Sequence, residues 1–219
     1  MVGQSAAAFF SCDLCVSWFI IDFNTVNGYD EKTKDCVLTM SHKKQQLKPT
    51  VKETVIHSNP ELKATAYHEA GHAVMAILLG RMVEKVTIVP GQMHSGVSRL
   101  GACKIQKSRR KASQDPMEDD VMILLAGMVA ESRVTGGYCL HGASQDLLLV
   151  QQLLTLNRAT NERQLQRLAK RMVDKTENLL SSTEPTRAIE LIANELLEKE
   201  TISGRAVRHF IELAKQQCS

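Results

Sequence analysis

Aromatic residues make up only 4% of this chain, with a single Trp, and prolines number five in 219 residues. That scarcity, beside abundant Leu, Ala, Glu, Gln and Lys, favours helices over sheets. Charge is nearly balanced at +3, and no recognisable nucleic-acid module occurs, so neither a polyanionic partner nor nucleic acid is expected. No apolar run reaches the ~20 residues of a membrane span. The nearest approach, with Phe9, Phe10, Trp18, Phe19, Ile20, Ile21 and Phe23, is broken by Asp13 and Asp22 and lacks the basic flank of a secretory signal. No transmembrane segment is therefore expected. Six cysteines (Cys12, Cys15, Cys36, Cys103, Cys139, Cys218) follow no disulfide framework and read as reduced thiols of a cytoplasmic protein. The phosphate-loop pattern G-x-x-x-x-G-K-[ST] is absent, so these residues do not bind ATP by that route.

Against this background one stretch carries chemistry: Ala66-Tyr67-His68-Glu69-Ala70-Gly71-His72-Ala73-Val74. Residues four apart share a helix face, so His68 and His72 can offer ring nitrogens to one Zn2+. Glu69 can then reach a zinc-bound water without ligating the metal. Zinc lowers the pKa of such a water from ~15.7 to about 7, and a neighbouring carboxylate can pass its proton to a leaving amine. A chance pair of histidines is the bland alternative, and helical context argues against it. Ala66, Ala70, Ala73, Val74, Ile77 and Leu78 recur at helical spacing and Gly80 supplies a stop, which predicts an amphipathic helix. Gly71 costs ~1 kcal/mol relative to Ala inside a helix, so something must pack closely there.

Two histidines leave a catalytic zinc one protein ligand short. Asp115-Pro116-Met117-Glu118 is a strong helix start, and the almost wholly apolar run Val121 to Ala130 predicts a buried helix packed on the motif helix. Glu131 at its end can orient a histidine or simply pair with a cation. Gly136-Gly137 breaks this helix, and Gly142 to Leu149 opens another with Asp146 in its first turn. The residues alone leave Asp146, Glu131, His141 and His94 as candidates for the third ligand. Asp146 leads, because a short carboxylate at a buried helix start is rigidly held and gains from the helix dipole; His141 comes next.

Residues 1–45 show no clear period and read as an N-terminal extension, with 46–219 as the folded domain. Met40 opens a polar stretch that resembles a natural start, and Cys12-x-x-Cys15 lacks a second ligand pair, so those cysteines are ordinary thiols. Lys85 to Pro90 alternates and is β-branched, which predicts a short strand whose edge can take up substrate backbone. Gly96 to Ser113, with Lys104, Lys107, Arg109, Arg110 and Lys111, reads as a basic solvated loop. Helices are predicted over about 160–178, 184–199 and 203–216, capped by Thr160, Thr183 and Ser203. Leu165, Leu168, Met172, Ile189, Ile192, Leu196, Val207 and Phe210 form their core stripes.

Three blocks resemble the peptidase domain of the FtsH family of ATP-dependent zinc metalloproteases: the HEAGH helix with the strand Lys85 to Pro90; Leu125 to Glu131 followed by Gly142 to Leu147; and a closing helical hairpin around Glu195 to Gly204. The resemblance runs from about residue 60 to about 215. It implies Zn2+ as cofactor, His68, His72 and Asp146 as its ligands, Glu69 as catalytic acid/base, and Glu131 as a support for a ligand histidine. His141 and His94 have no counterpart among the family's ligands, and Pro90 to Ser113 matches poorly. Family members also carry an AAA ATPase and a membrane anchor, neither of which is recognisable here. The expected fold is mainly α: a zincin-like metallopeptidase domain with a short β element and a helical C-terminal bundle. The expected function is a zinc metalloendopeptidase acting on unfolded or flexible polypeptides, alone, as a homo-oligomer, or fed by a separate AAA ATPase. The alternative is a catalytically silent interaction or regulatory module that partners a separate AAA protease.

Overall fold

A computed structural model describes residues 59–92, 98–106, 114–157, 159 and 161–218. The extension expected over 1–45, His94, Thr160 and the basic residues at 107–111 lie outside these described residues.

Helix α1 (Pro60–Leu78) opens at Asn59, whose side chain accepts from the N–H groups of Glu61 and Leu62, with Pro60 at the first position. Gly80, at φ +75, turns the chain just past its end. Sequence periodicity predicts an amphipathic helix, but α1 is buried without a break from Glu69 to Ala76. Leu78, expected in the core, is 44% exposed. The cause is position: α2 (Pro116–Thr135), α5 (Thr183–Lys199) and the sheet all pack on α1, so it is the centre of the domain and not a surface helix.

Helix α2 begins as expected, with Asp115 accepting from the Glu118 N–H at 3.2 Å, and ends at Gly136 with φ +80. It is buried from Val121 to Glu131 apart from Leu124 and runs antiparallel to α1. Gly71 explains how close the two helices come. A Cβ there would lie 2.4 Å from the Ala126 carbonyl oxygen and 2.6 Å from the Ala130 Cβ. The ~1 kcal/mol that glycine costs a helix is smaller than the loss from prising apart two buried helices.

Strand β1 (Val83–Thr87) is shifted toward the N-terminus from the expected Lys85 to Pro90. It lies in the middle of an antiparallel three-stranded sheet, between β4 (Ala102–Ile105) and β5 (Thr201–Ser203), with Val86 opposite both Cys103 and Ile202. The expected free edge at β1 is therefore wrong: both of its sides are taken. A two-stranded ribbon joins β2 (Gly91–Gln92) to β3 (Ser98–Arg99). The segment read as a loop thus holds two strands, hidden because they are short and basic and because their pairing is set by distant residues.

Helices α3 (Ser144–Asn157), α4 (Glu162–Leu180) and α6 (Gly204–Cys218) complete the fold. Two caps differ from expectation. Asn161 caps α4, accepting from the Gln164 N–H at 2.9 Å, and α5 starts from Ser182, one residue before Thr183, without a side-chain cap bond. Ser203 does accept from the Ala206 N–H at the start of α6. Of the expected core residues, Leu165, Met172, Ile189, Ile192, Leu196 and Val207 are buried, while Leu168 and Phe210 are partly exposed. The observed class is mainly α with a small sheet, as the sequence predicts. Among the described residues no helix is long and apolar enough to cross a membrane.

Candidate metal centre

The antiparallel pairing of α1 and α2 brings His68 and His72 against Ile123 and Glu131. The His68 Nδ1 lies 2.9 Å from Glu131 Oε2, and the His72 Nδ1 lies 2.7 Å from the Ile123 carbonyl oxygen. Both partners are acceptors, so each Nδ1 carries its proton and donates. In the neutral imidazoles the Nε2 atoms are then lone-pair sites. Both face one carboxylate from the first turn of α3: Asp146 Oδ2 is 3.1 Å from His68 Nε2 and 3.3 Å from His72 Nε2. The ligand atoms of His68, His72 and Asp146 all lie within 4.8 Å of one another.

This donor set fits a zinc ion. Two nitrogen lone pairs directed at a carboxylate oxygen are acceptors facing an acceptor, and something positive must stand between them. A metal ion or a proton will serve. Where it is a proton, burial lowers the affinity of the His68 ring, but hydrogen bonds to Asp146 and Glu131 and the charges of Asp146 and Glu69 outweigh burial and push its pKa up to about 10. His72 is raised too, burial again opposing and Asp146 dominating the attraction. Burial raises the Asp146 carboxyl, and the two histidines overcome this and hold it well below the usual carboxylate range.

His68, raised from 6.5, stabilises the metal-free fold fully below that value, and the contribution is lost as pH rises through about 10. Asp146, depressed, contributes above its ordinary 3.8 and the contribution fades as pH falls below it. A metal ion entering the cluster at pH 8 would therefore have to displace a proton from His68. Calorimetric titration with zinc in two buffers of different ionisation enthalpy should report a net release of protons on binding. A result of no released protons would show that the metal-free histidines are already neutral.

Glu69 is 7% exposed and lies beneath the start of β4, where a Cβ at Gly101 would come within 2.6 Å of its Oε1. The Cys103 thiol, next along that strand, is pushed up by burial and then by the charge of Glu69. His141 sits exposed in the turn before α3 and is not drawn into the cluster. Sequence reasoning missed the Ile123 carbonyl and Gly101. The first is a backbone atom that any residue could supply, and the second fell in a segment read as loop.

Residues 55–160 match the model of peptidase family M41. The chain carries an M41 peptidase domain. The match spans α1, α2 and α3 with the strands between them, and so every residue of the cluster. Relatives of the M41 domain carry the name ATP-dependent zinc metalloprotease FtsH. The protein of Lachnoclostridium phytofermentans is 30% identical over 181 residues, covering 68% of this chain and 30% of the relative. That of Acidimicrobium ferrooxidans is 28% identical over 204 residues, with 74% and 30% covered. That of Ruminiclostridium cellulolyticum is 33% identical over 104 residues, with 47% and 16% covered. The chain thus spans no more than 30% of the length of these relatives. Kinship with the M41 metalloproteases supports a protease function in general terms.

Proposed function

We propose that the chain is a zinc metalloendopeptidase that hydrolyses peptide bonds in unfolded or flexible polypeptides. The observation that carries this reading is the convergence of His68, His72 and Asp146 within 4.8 Å, beside the buried Glu69. In this reading the three residues are the zinc ligands, and Glu131 fixes the tautomer and aim of His68 from behind. Zinc held there would supply Lewis acidity for the attacking water and the scissile carbonyl. Glu69 would take a proton from the water on its carboxylate and give it to the amine nitrogen as the C–N bond breaks. The products are a free carboxylate and a free amine.

Substrate backbone would align along the outer side of β4, which has no strand partner among the described residues and begins against Glu69. Main-chain pairing on one short strand captures extended polypeptide. It does not unfold a domain, which costs ~5–15 kcal/mol. Flexible substrates follow from that comparison, as does a separate AAA ATPase or a homo-oligomer where folded proteins must be taken up. We assign the catalytic unit to residues 46–219 and a cytoplasmic setting, in keeping with the thiols at Cys103 and Cys218.

The test is direct. Purified protein should hold about one Zn2+ per chain and cut casein, and a chelator should stop the cutting. A tightly folded protein should survive, with or without ATP. Zinc binding without cleavage would favour a silent module that partners another protease, and absence of zinc would sink the metal assignment.

A further inference from the structure

Three positions one turn apart on α2, Ile123, Gly127 and Glu131, face the two histidines of α1. The outer two accept the Nδ1 protons of His72 and His68. The middle one has no side chain. A Cβ at Gly127 would lie 2.6 Å from His68 Nε2, 2.6 Å from His72 Nε2 and 2.7 Å from His72 Cε1. These three nearest atoms all belong to the imidazoles, in contrast to Gly71, where the helix backbone itself is struck. The rings cannot swing aside freely, since each is tethered at Nδ1 by a bond to the same helix.

We propose that Gly127 is a positioning residue for the metal: its missing side chain sets the aim of both Nε2 atoms while Ile123 and Glu131 hold the far sides of the rings. This rests on the zinc site proposed above. The α2 helix would thereby act as a template of three contacts, two polar and one empty, spaced to match histidines four residues apart. A methyl group at the middle position must push one or both Nε2 atoms away from Asp146. Alanine is a better helix former than glycine, so the substitution harms α2 only through this contact.

Gly127→Ala should bind zinc about 10- to 100-fold more weakly, measured by competition with a chromophoric chelator. Metal-free Gly127→Ala should keep the circular dichroism of the unaltered protein. At saturating cobalt its visible d–d bands should shift or change intensity, which an effect confined to helix stability would not produce. Zinc affinity within twofold of the unaltered protein, or an unchanged cobalt spectrum, overturns the proposal. Should Gly127→Ala fail to fold, adding His68→Ala and His72→Ala removes the atoms it strikes and should restore the metal-free fold; continued unfolding places the clash elsewhere and overturns it too. Failure of the unaltered protein to bind zinc would instead sink the site itself.

Discussion

Glu69→Gln is expected to slow casein cleavage by about 100- to 10,000-fold while zinc stays bound. The substitution keeps the size and most of the hydrogen-bonding shape of a side chain that is only 7% exposed and packed under Gly101, so the surroundings need not rearrange. Glu69 lies outside the cluster formed by His68, His72 and Asp146, so no ligand is removed. What disappears is the basic carboxylate that takes the proton. Cleavage rate and metal content measured on the same preparation separate the two roles. Loss of zinc would move Glu69 among the ligands, and retention of most of the rate would deny it the role of base.

Asp146→Ala should leave the protein with no zinc after dialysis. Among the described residues the carboxylate is the group that both Nε2 atoms face, at 3.1 and 3.3 Å, and without it two imidazoles remain where a catalytic zinc usually has three protein ligands. Asp146 stands in the first turn of α3 and takes no part in the tight contact of α1 with α2 at Gly71, so the variant should fold. Glu131→Gln, which weakens only the support of His68, should cost about 10- to 100-fold in affinity. His141→Ala should cost nothing. Zinc retained in Asp146→Ala but lost in His141→Ala would mean that the third ligand had been misassigned.

The pair His68 and His72 was readable because helix geometry turns a spacing of four into a shared face. The buried run of α2 was equally readable, since Val121 to Ala130 has almost no polar residue. Asp146 was harder. Its first-turn position and the family resemblance pointed to it, but the residue pattern left His141 open, and only the folded chain shows His141 exposed. What could not be read was whatever depends on backbone or on empty space: the Ile123 carbonyl, the closeness of Gly101 to Glu69, the gap at Gly127. The sheet was misread for a related reason. Strand β1 looks like an edge until β4 and β5 are seen on its two sides, and β5 is three residues set between two helices, with no periodicity to announce it.

Strand β5 joins the sheet from far along the chain. Glu200, at φ +58, switches α5 into β5, and its carbonyl accepts from the Ile88 N–H at 2.9 Å as Val86 pairs with Ile202. The sheet that flanks Glu69 therefore closes between a strand made early and one made late. A nascent chain on the ribosome can form the HEAGH helix and pair β1 with β4 long before residue 203 emerges, but β1 then still lacks β5 on its other side. The three-stranded sheet is thus completed only once α5 and β5 have been made, so its closure depends on residues more than a hundred positions downstream of β1.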